Sequence, residues 1–319
     1  MERVWLNWLG LIAVGAVAAL AILEAVLRSL FGFGNPLTYL ADPEIGYLLS
    51  PNQTTRRFGK LISINQYSMR SPDVAPTRAA KTLRILLIGD SIVNGGWWTD
   101  QDKTLSTLLQ RQLQDTEKIF DRVEVLNASA NSWSPRNELA YLQRFGTFES
   151  QIVVQVINTD DLFGIAPYSV VVGRDPNYPD RKPPLAIAEV LSRYLSKPVA
   201  IPELNQLQQE GGDRVAANLE AIRQTQAIAA QNNAQLLLVI TPLLREVENG
   251  SRSYERTARE RLSNFTQQQQ IPFIDILPTF VDDPNFKAHY IDSIHLSQTG
   301  NLQVVQQISQ EIQQIDTDL

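Results

Sequence analysis

Cysteine is absent from the 319 residues, which excludes disulfide frameworks, thiolate metal sites and cysteine nucleophiles together. Histidine is nearly as scarce, with only His289 and His295 near the C-terminus. A His-rich zinc or haem site is therefore excluded, and no cofactor is implied. Any reaction that needs an imidazole base has two candidates. A basic excess is also lacking: 28 Lys and Arg stand against 34 Asp and Glu, a formal charge of −6. Nothing in that balance neutralises phosphates, so nucleic acid is not an expected partner. What is present is an ordinary globular composition, 44% hydrophobic and 19% charged, enough for one large α/β domain or two small ones.

The hydrophobicity is concentrated at the front. Residues 4–23, VWLNWLGLIAVGAVAALAIL, run twenty positions without a charge. At about 1.5 Å rise per residue they cover roughly 30 Å, the thickness of a bilayer's hydrocarbon core. Trp5 and Trp8 lie at one end, where indoles favour the interface, and apolar character resumes after Glu24 as far as Phe33. Three readings stay open. A single-pass anchor over 1–31 is favoured. A cleaved signal could use Ala16-Val17-Ala18, but nothing there breaks the helical run. A buried soluble helix is disfavoured by so long a charge-free stretch at a terminus. Arg3 and the α-amino group precede the span, Arg28 lies in its extended end, and no further Lys or Arg follows until Arg56. The positive-inside rule leans toward an inside N-terminus and an extracytoplasmic catalytic part.

Residues 32–80 carry Gly32, Gly34, Pro36, Pro43, Pro51, Pro72 and Pro76 with little periodicity, and read as a linker and irregular or β-rich approach segment. From there to 319 strands and helices alternate. LRILLIGD (83–90), VEVLNAS (123–129), QIVVQVIN (151–158), AQLLLVITP (234–242) and IPFIDI (271–276) are short apolar runs expected as strands. Helical spacing marks 104–114, 134–145 (Ser134 as N-cap, Pro135 at the first position), 214–232 and 299–315. The expectation is a three-layer α/β domain on a five-stranded parallel sheet. The connection 162–212, with seven prolines and Tyr168, Tyr178 and Tyr194, is too long for a plain loop. It reads as a lid or recognition insert, or as a surface excursion with a short helix near 185–195.

In parallel sheets the ligand lies beyond the carboxyl ends of the strands. The first strand ends in Gly89-Asp90-Ser91, the second leads through Asn127 to Ser132, and the third into Asn158-Thr159-Asp160-Asp161. The last helix is preceded by Asp292-Ser293-Ile294-His295. A serine at such a turn is exposed over a helix N-terminus, and it becomes a nucleophile only when a base takes its proton. His295 can be that base near neutral pH, with Asp292 fixing its tautomer. Taken singly, Ser91 could be a helix N-cap and His295 a surface residue. His289 reads as a surface residue or one standing behind the site. GDSIVNGG has neither a dinucleotide-binding nor a Walker pattern, so a nucleotide-binding flavodoxin-like protein is a weak reading.

Over about residues 82–315 these blocks resemble the SGNH (GDSL-type) hydrolases, esterases and acyltransferases on a flavodoxin-like sheet. Gly-Asp-Ser after strand one and Asp-x-x-His before the last helix carry the resemblance. GYLLSPN, Ile64-Asn65-Gln66-Tyr67 and Arg70 also look like the leader of membrane-anchored bacterial members. The resemblance implies Ser91, His295 and Asp292 as catalytic residues. It also implies an oxyanion hole from the Ser91 amide, a second-block glycine and a third-block asparagine. Here Ser132 stands for the glycine and Asp160 for the asparagine. A backbone N–H survives the first change. An ionised Asp160 could not donate, so it would have to be protonated, or Asn158 or backbone amides would have to serve. The implied function is a serine-dependent esterase or O-acyltransferase on acyl esters, with envelope polysaccharide as candidate substrate and the membrane as partner through the N-terminal helix. The competing reading is a non-catalytic carbohydrate-binding or assembly protein on the same fold.

Overall fold

Five parallel strands carry the domain in the computed structural model, which describes residues 2–116, 119–197 and 200–315. Met1, 198–199 within the insert and 316–319 at the end of the domain lie outside that description. The strands are β5 (Thr82–Gly89), β6 (Arg122–Ser129), β7 (Ile152–Asn158), β8 (Gln235–Thr241) and β9 (Phe273–Asp275), in spatial order β6-β5-β7-β8-β9. Every residue of β5 and β7 is buried, because helices cover both faces. Four short strands precede them as two antiparallel hairpins: β1 (Tyr39–Asp42) with β2 (Gly46–Leu49), and β3 (Gln53–Arg57) with β4 (Lys60–Ile64). The approach segment, open between irregular and β-rich, thus pairs locally as β-structure and packs on the domain through Tyr39, Tyr47, Leu49, Ile62 and Ile64.

Helices occur in the order α1 (Glu2–Val26), α2 (Ser91–Asn94), α3 (Leu105–Thr116), α4 (Pro135–Phe145), α5 (Ala186–Val190) and α6 (Pro202–Leu207), then α7 (Arg214–Gln231), α8 (Leu244–Asn249), α9 (Ser253–Gln269), α10 (Leu277–Val281) and α11 (Gln298–Gln314). Alternation along β5 sorts the layers. Leu86 and Ile88 face α4, α7 and α9, whereas Leu83, Ile85 and Leu87 face α3 and α11. Helix α9 was not anticipated, since its sequence SYERTARERLSNFTQQQ shows only a thin apolar stripe of Ala258, Leu262 and Phe265. The strand order reverses direction between β5 and β7, so the crevice at their carboxyl ends is where this topology places a ligand.

Gly89 makes that crevice possible. A Cβ there would lie 2.4 Å from the Val156 carbonyl oxygen and 2.6 Å from Val93, so only glycine lets β5 turn into α2 this close to β7.

Helix α1 continues through a π turn, Leu27–Phe31, and Trp5–Phe31 form one apolar run whose most apolar eighteen residues have mean hydropathy 2.4 and are unburied. It is long and apolar enough to cross a membrane. Its C-terminal end is fastened to the domain. Glu24 accepts the backbone N–H groups of Ala186 (2.8 Å) and Ile187 (3.0 Å), and Arg28 donates to the Pro184 carbonyl (2.8 Å). Just beyond, Glu189 is buried at 5% exposure and pairs with Arg57, itself 7% exposed, while accepting Gly34 N–H (2.6 Å) and Arg193 Nε–H (2.8 Å). Burial would raise the Glu189 pKa, but Arg57 and these donors hold it below the ordinary value. Replacing Arg57 with methionine leaves that carboxylate buried and short of its main partner. Arg57→Met is expected to lower stability by about 3 kcal/mol in denaturant unfolding of the full chain in detergent, and an unchanged midpoint would show the pair to be idle.

Candidate active site

Three side chains from two distant parts of the chain meet above the carboxyl end of β5. Ser91 begins α2 directly after the β5 turn, and its Oγ lies 3.0 Å from His295 Nε2. His295 Nδ1 lies 2.7 Å from Asp292 Oδ2. The second bond assigns the proton to Nδ1 and leaves Nε2 to accept from the serine hydroxyl. Asp292 Oδ1 also accepts the N–H groups of Ile294 (2.9 Å) and His295 (2.8 Å). Burial alone would raise the Asp292 pKa, but these N–H donors and the imidazole outweigh it and lower the pKa.

The loop that presents Asp292 and His295 is braced on three sides. Tyr290 and Leu296 pair across its neck, and Ile291 N–H donates to the His295 carbonyl (2.9 Å). The Tyr290 hydroxyl donates to the Pro242 carbonyl (2.9 Å), and Leu244 N–H to that of Ser293 (3.0 Å). Of its two readings, a surface residue or one standing behind the site, His289 takes the second. It is buried at 2% exposure, stacks on Phe280 with centroids 4.5 Å apart, bonds Asp283 at 2.8 Å, and accepts Ser297 N–H on its carbonyl. It closes the base of the loop, away from Ser91.

The middle blocks reach the same crevice. Asn158 donates through Nδ2 to Asp90 Oδ2 and to Asp161 Oδ2, both at 2.9 Å, so both its amide hydrogens are engaged. Asp90 in turn caps α2, its Oδ1 accepting Ile92 N–H at 2.8 Å. Asp160 is exposed at the rim of the cleft, and its N–H donates to Asn158 Oδ1 (2.7 Å). Desolvation at the rim first, then Glu255 and Glu246, raise the Asp160 pKa. Ser132 adopts a left-handed φ of +59°, the conformation in which glycine is unstrained. The turn is held by Tyr47, whose hydroxyl donates to the Asn131 carbonyl (2.7 Å), and by Tyr178, whose hydroxyl donates to Ser132 Oγ (3.0 Å).

A cleft of about 520 Å³ opens over Ser91 and His295. Its walls combine Ser132, Asn137, Asp160 and Gln208 with Phe163 and Tyr168, the last three from the long insert 162–212. The insert therefore lines the cleft.

Two supports had no role assigned from the sequence, although Arg70 stood in the leader resemblance. Arg70 is buried at 1% exposure and donates to the carbonyls of Asn94, Gly96 and Thr99, each at 2.6 Å. It pins the loop after α2, which carries Trp98 onto the His295 ring at 4.2 Å between centroids. Gly96, at φ +50°, leaves room for that indole, since a Cβ would lie 2.4 Å from it. The signal available beforehand was the Gly95-Gly96-Trp97-Trp98 run directly after the serine block. The other is an acidic floor. Glu138 is fully buried and bonded through Oε2 to Gln155 (2.6 Å), and burial pushes its pKa up to about 8. Burial and the neighbouring Asp90 likewise push Asp161 far up.

Between the unfolded value near 4.5 and the folded value near 8, the native state holds a proton on Glu138 that the unfolded chain has lost. Stability from this group is thus present at low pH and is lost as pH rises through about 8, at about 1.4 kcal/mol per unit within the window. Glu138→Gln cannot titrate. Unfolding free energies measured from pH 5 to pH 9 are expected to fall less steeply for the variant than for the parent, and parallel curves would contradict the protonated floor.

A sequence model of the GDSL-like lipase/acylhydrolase family matches residues 87–302. No curated protein matches the chain. Among solved structures, the chain is similar to a lipase/acylhydrolase from Enterococcus faecalis, with 14% identity, TM-score 0.45, and coverage of 72% of this chain and 95% of that one. It is also similar to a catalytic mutant of an acetylxylan esterase from Geobacillus stearothermophilus, with 14% identity, TM-score 0.47, and coverage of 72% and 93%. A third is a psychrotrophic esterase from Pseudoalteromonas sp., with 13% identity, TM-score 0.43, and coverage of 73% and 97%.

Proposed function

Because the chain belongs to the GDSL-like lipase/acylhydrolase family, we propose that it cleaves or transfers acyl groups through Ser91, His295 and Asp292. The observation that carries the reading is the unbroken hydrogen-bond chain from Ser91 Oγ through His295 to Asp292, at the floor of an open cleft. Ser91 Oγ adds to the ester carbonyl while its proton passes to His295 Nε2. Asp292 stabilises the resulting imidazolium through Nδ1–H. Collapse of the tetrahedral adduct expels the alcohol, which takes the proton from Nε2 and leaves an acyl-serine. Water or a second hydroxyl, deprotonated by the same nitrogen, then adds to the acyl-serine and releases acid or a new ester. Hydrolysis and O-acyl transfer differ only in that acceptor.

The polar and aromatic walls of the cleft suit a hydroxyl-rich acyl ester, and we assign carbohydrate of the cell envelope as its source. In this reading α1 anchors the domain to a membrane with the cleft on the extracytoplasmic side. The non-catalytic alternative predicts an unreactive Ser91, so a fluorophosphonate probe on the full chain in detergent separates the two. Labelling that vanishes in Ser91→Ala is expected. Ser91→Ala and His295→Ala are each expected to abolish ester turnover, with the double variant no worse, because the pair acts as a unit. Additive losses would contradict that mechanism, whereas His289→Ala is expected to retain serine reactivity wherever it folds.

Asp160 is proposed to face the developing oxyanion from the cleft rim, as a donor only while protonated. Activity then falls as pH rises through its raised pKa. Asp160→Asn supplies a donor at every pH and is expected to remove that alkaline fall and to raise kcat by tenfold or more, within the ~10²–10³ that one donor contributes. A variant slower than the parent across the profile would place the donors elsewhere, among the backbone amides of Ser91 and Ser132.

A further inference from the structure

The end of α1 and the imidazole of His295 are joined by a run of aromatic rings. Phe31 meets Phe58 at 5.9 Å, Phe58 meets Trp97 at 5.1 Å, Trp97 meets Trp98 at 5.8 Å, and Trp98 lies on His295. Much of this run is open to solvent: Trp97 is 50% exposed and Phe58, at the tip of the β3–β4 hairpin, 38%. Beside it Phe33 meets Tyr194 at 6.2 Å, and Tyr194 (63%), Leu191 (47%) and Leu195 (74%) project from the turn that continues α5. So large a cluster of exposed apolar side chains marks a contact surface.

The depth of this cluster follows from how α1 is attached. At 1.5 Å per residue the 27 residues Trp5–Phe31 are about 40 Å long, more than the ~30 Å hydrocarbon core and close to the ~40–45 Å that includes the headgroups. If α1 spans from Trp5, Glu24–Phe31 lie at headgroup depth. Glu24 and Arg28 hold residues 184–187 at that same level. Aromatic rings with cationic flanks are the chemistry of the interface, and Phe58 is flanked by Arg56 and Lys60, while Lys197 follows Leu195.

We propose that this face beds into the interfacial layer of the bilayer crossed by α1, so that the cleft works at a fixed height against the lipid surface. The proposal rests on reading α1 as an anchor. Its occupant is the lipid bilayer: the surface is continuous with α1, surrounds the point where α1 emerges and carries cations suited to anionic headgroups. Trp97 is immersed at its edge, two rings from the catalytic imidazole.

The absence of cysteine makes the test direct. Single-cysteine variants Leu195→Cys, Trp97→Cys, Ile12→Cys and Leu302→Cys of the full chain are nitroxide-labelled and reconstituted in phosphatidylcholine/phosphatidylglycerol vesicles. Collision with oxygen is compared with collision with a water-soluble nickel chelate. The oxygen-to-nickel ratio is expected to be highest at position 12, severalfold above the Leu302 control at positions 195 and 97, and lowest at position 302. Position 12 in lipid with either 195 or 97 as aqueous as 302 overturns the proposal and leaves the anchor intact. An aqueous position 12 overturns the anchor reading and the proposal with it.

Discussion

One side-chain amide stands between two buried carboxyls, and the electrostatics of the site depend on it. Asn158 Nδ2 has two hydrogens, and Asp90 and Asp161 each take one. Burial raises both acids, with Asp90 acting further on Asp161 and on Glu138 beneath. Full ionisation would stack three negative charges in a low-dielectric floor below Ser91, where the proposed reaction would create another. Burial raises all three acids and so disfavours that full ionisation. The same network fixes position, because Asp90 caps α2 at Ile92 and so ties the orientation of Ser91 to the end of β7.

Much of this was legible in the sequence, and for a local reason. Five apolar runs separated by helical spacing specify a doubly covered sheet whatever their tertiary neighbours. Ser91 and His295 stood in short blocks attached to strand and helix ends, so their meeting followed from the topology. At 39–64 β-structure was one of two open readings, and the hairpin pairing stayed undecided because four- and five-residue strands carry little alternation and prolines surround them. Helix α9 was hidden because its exposed face is almost wholly charged and amide. His289 stayed open between surface and support because its burial depends on Phe280 and Asp283, partners that no spacing rule connects to it. Arg70 and Trp98 belong to the same class: their roles exist only once the loop after α2 is folded over β4 and against His295.

The additions to the sheet explain why the chain is longer than its five strands require. Tyr47 from β2 and Tyr178 from the insert hold the turn that carries Ser132, and Phe163, Tyr168 and Gln208 of the insert wall the cleft. Glu189 of that insert is also the buried partner of Arg57, beside the end of α1. Cleft wall and attachment point are therefore parts of one segment. A shift of α1 against the domain would strain the same insert that shapes the cleft.

The two departures from the family pattern have different physical weight. Ser132 keeps the left-handed backbone that a glycine would adopt freely, at a cost of about 1–2 kcal/mol, and the Tyr178 hydroxyl on its Oγ offsets part of that. Its N–H is unchanged, so the substitution alters strain and leaves a donor available. Asp160 changes the chemistry itself, since a carboxylate accepts where an amide donates. The nearby amide, Asn158, is committed to the acidic floor, and turning it toward the cleft would leave Asp90 and Asp161 facing one another without a donor between them. In the proposed mechanism the donors are thus confined to backbone amides and a protonated Asp160, and the surroundings of Asp160 decide which. Glu255 and Glu246 lie on the side that favours its proton, and Arg245 and Arg252 oppose them. Because Arg245 is itself paired with Glu255, that ion pair sets how much negative potential reaches Asp160. The affinity of the cleft rim for a proton is thus set in part from Glu246 of α8 and Glu255 of α9, elements that do not line the cleft.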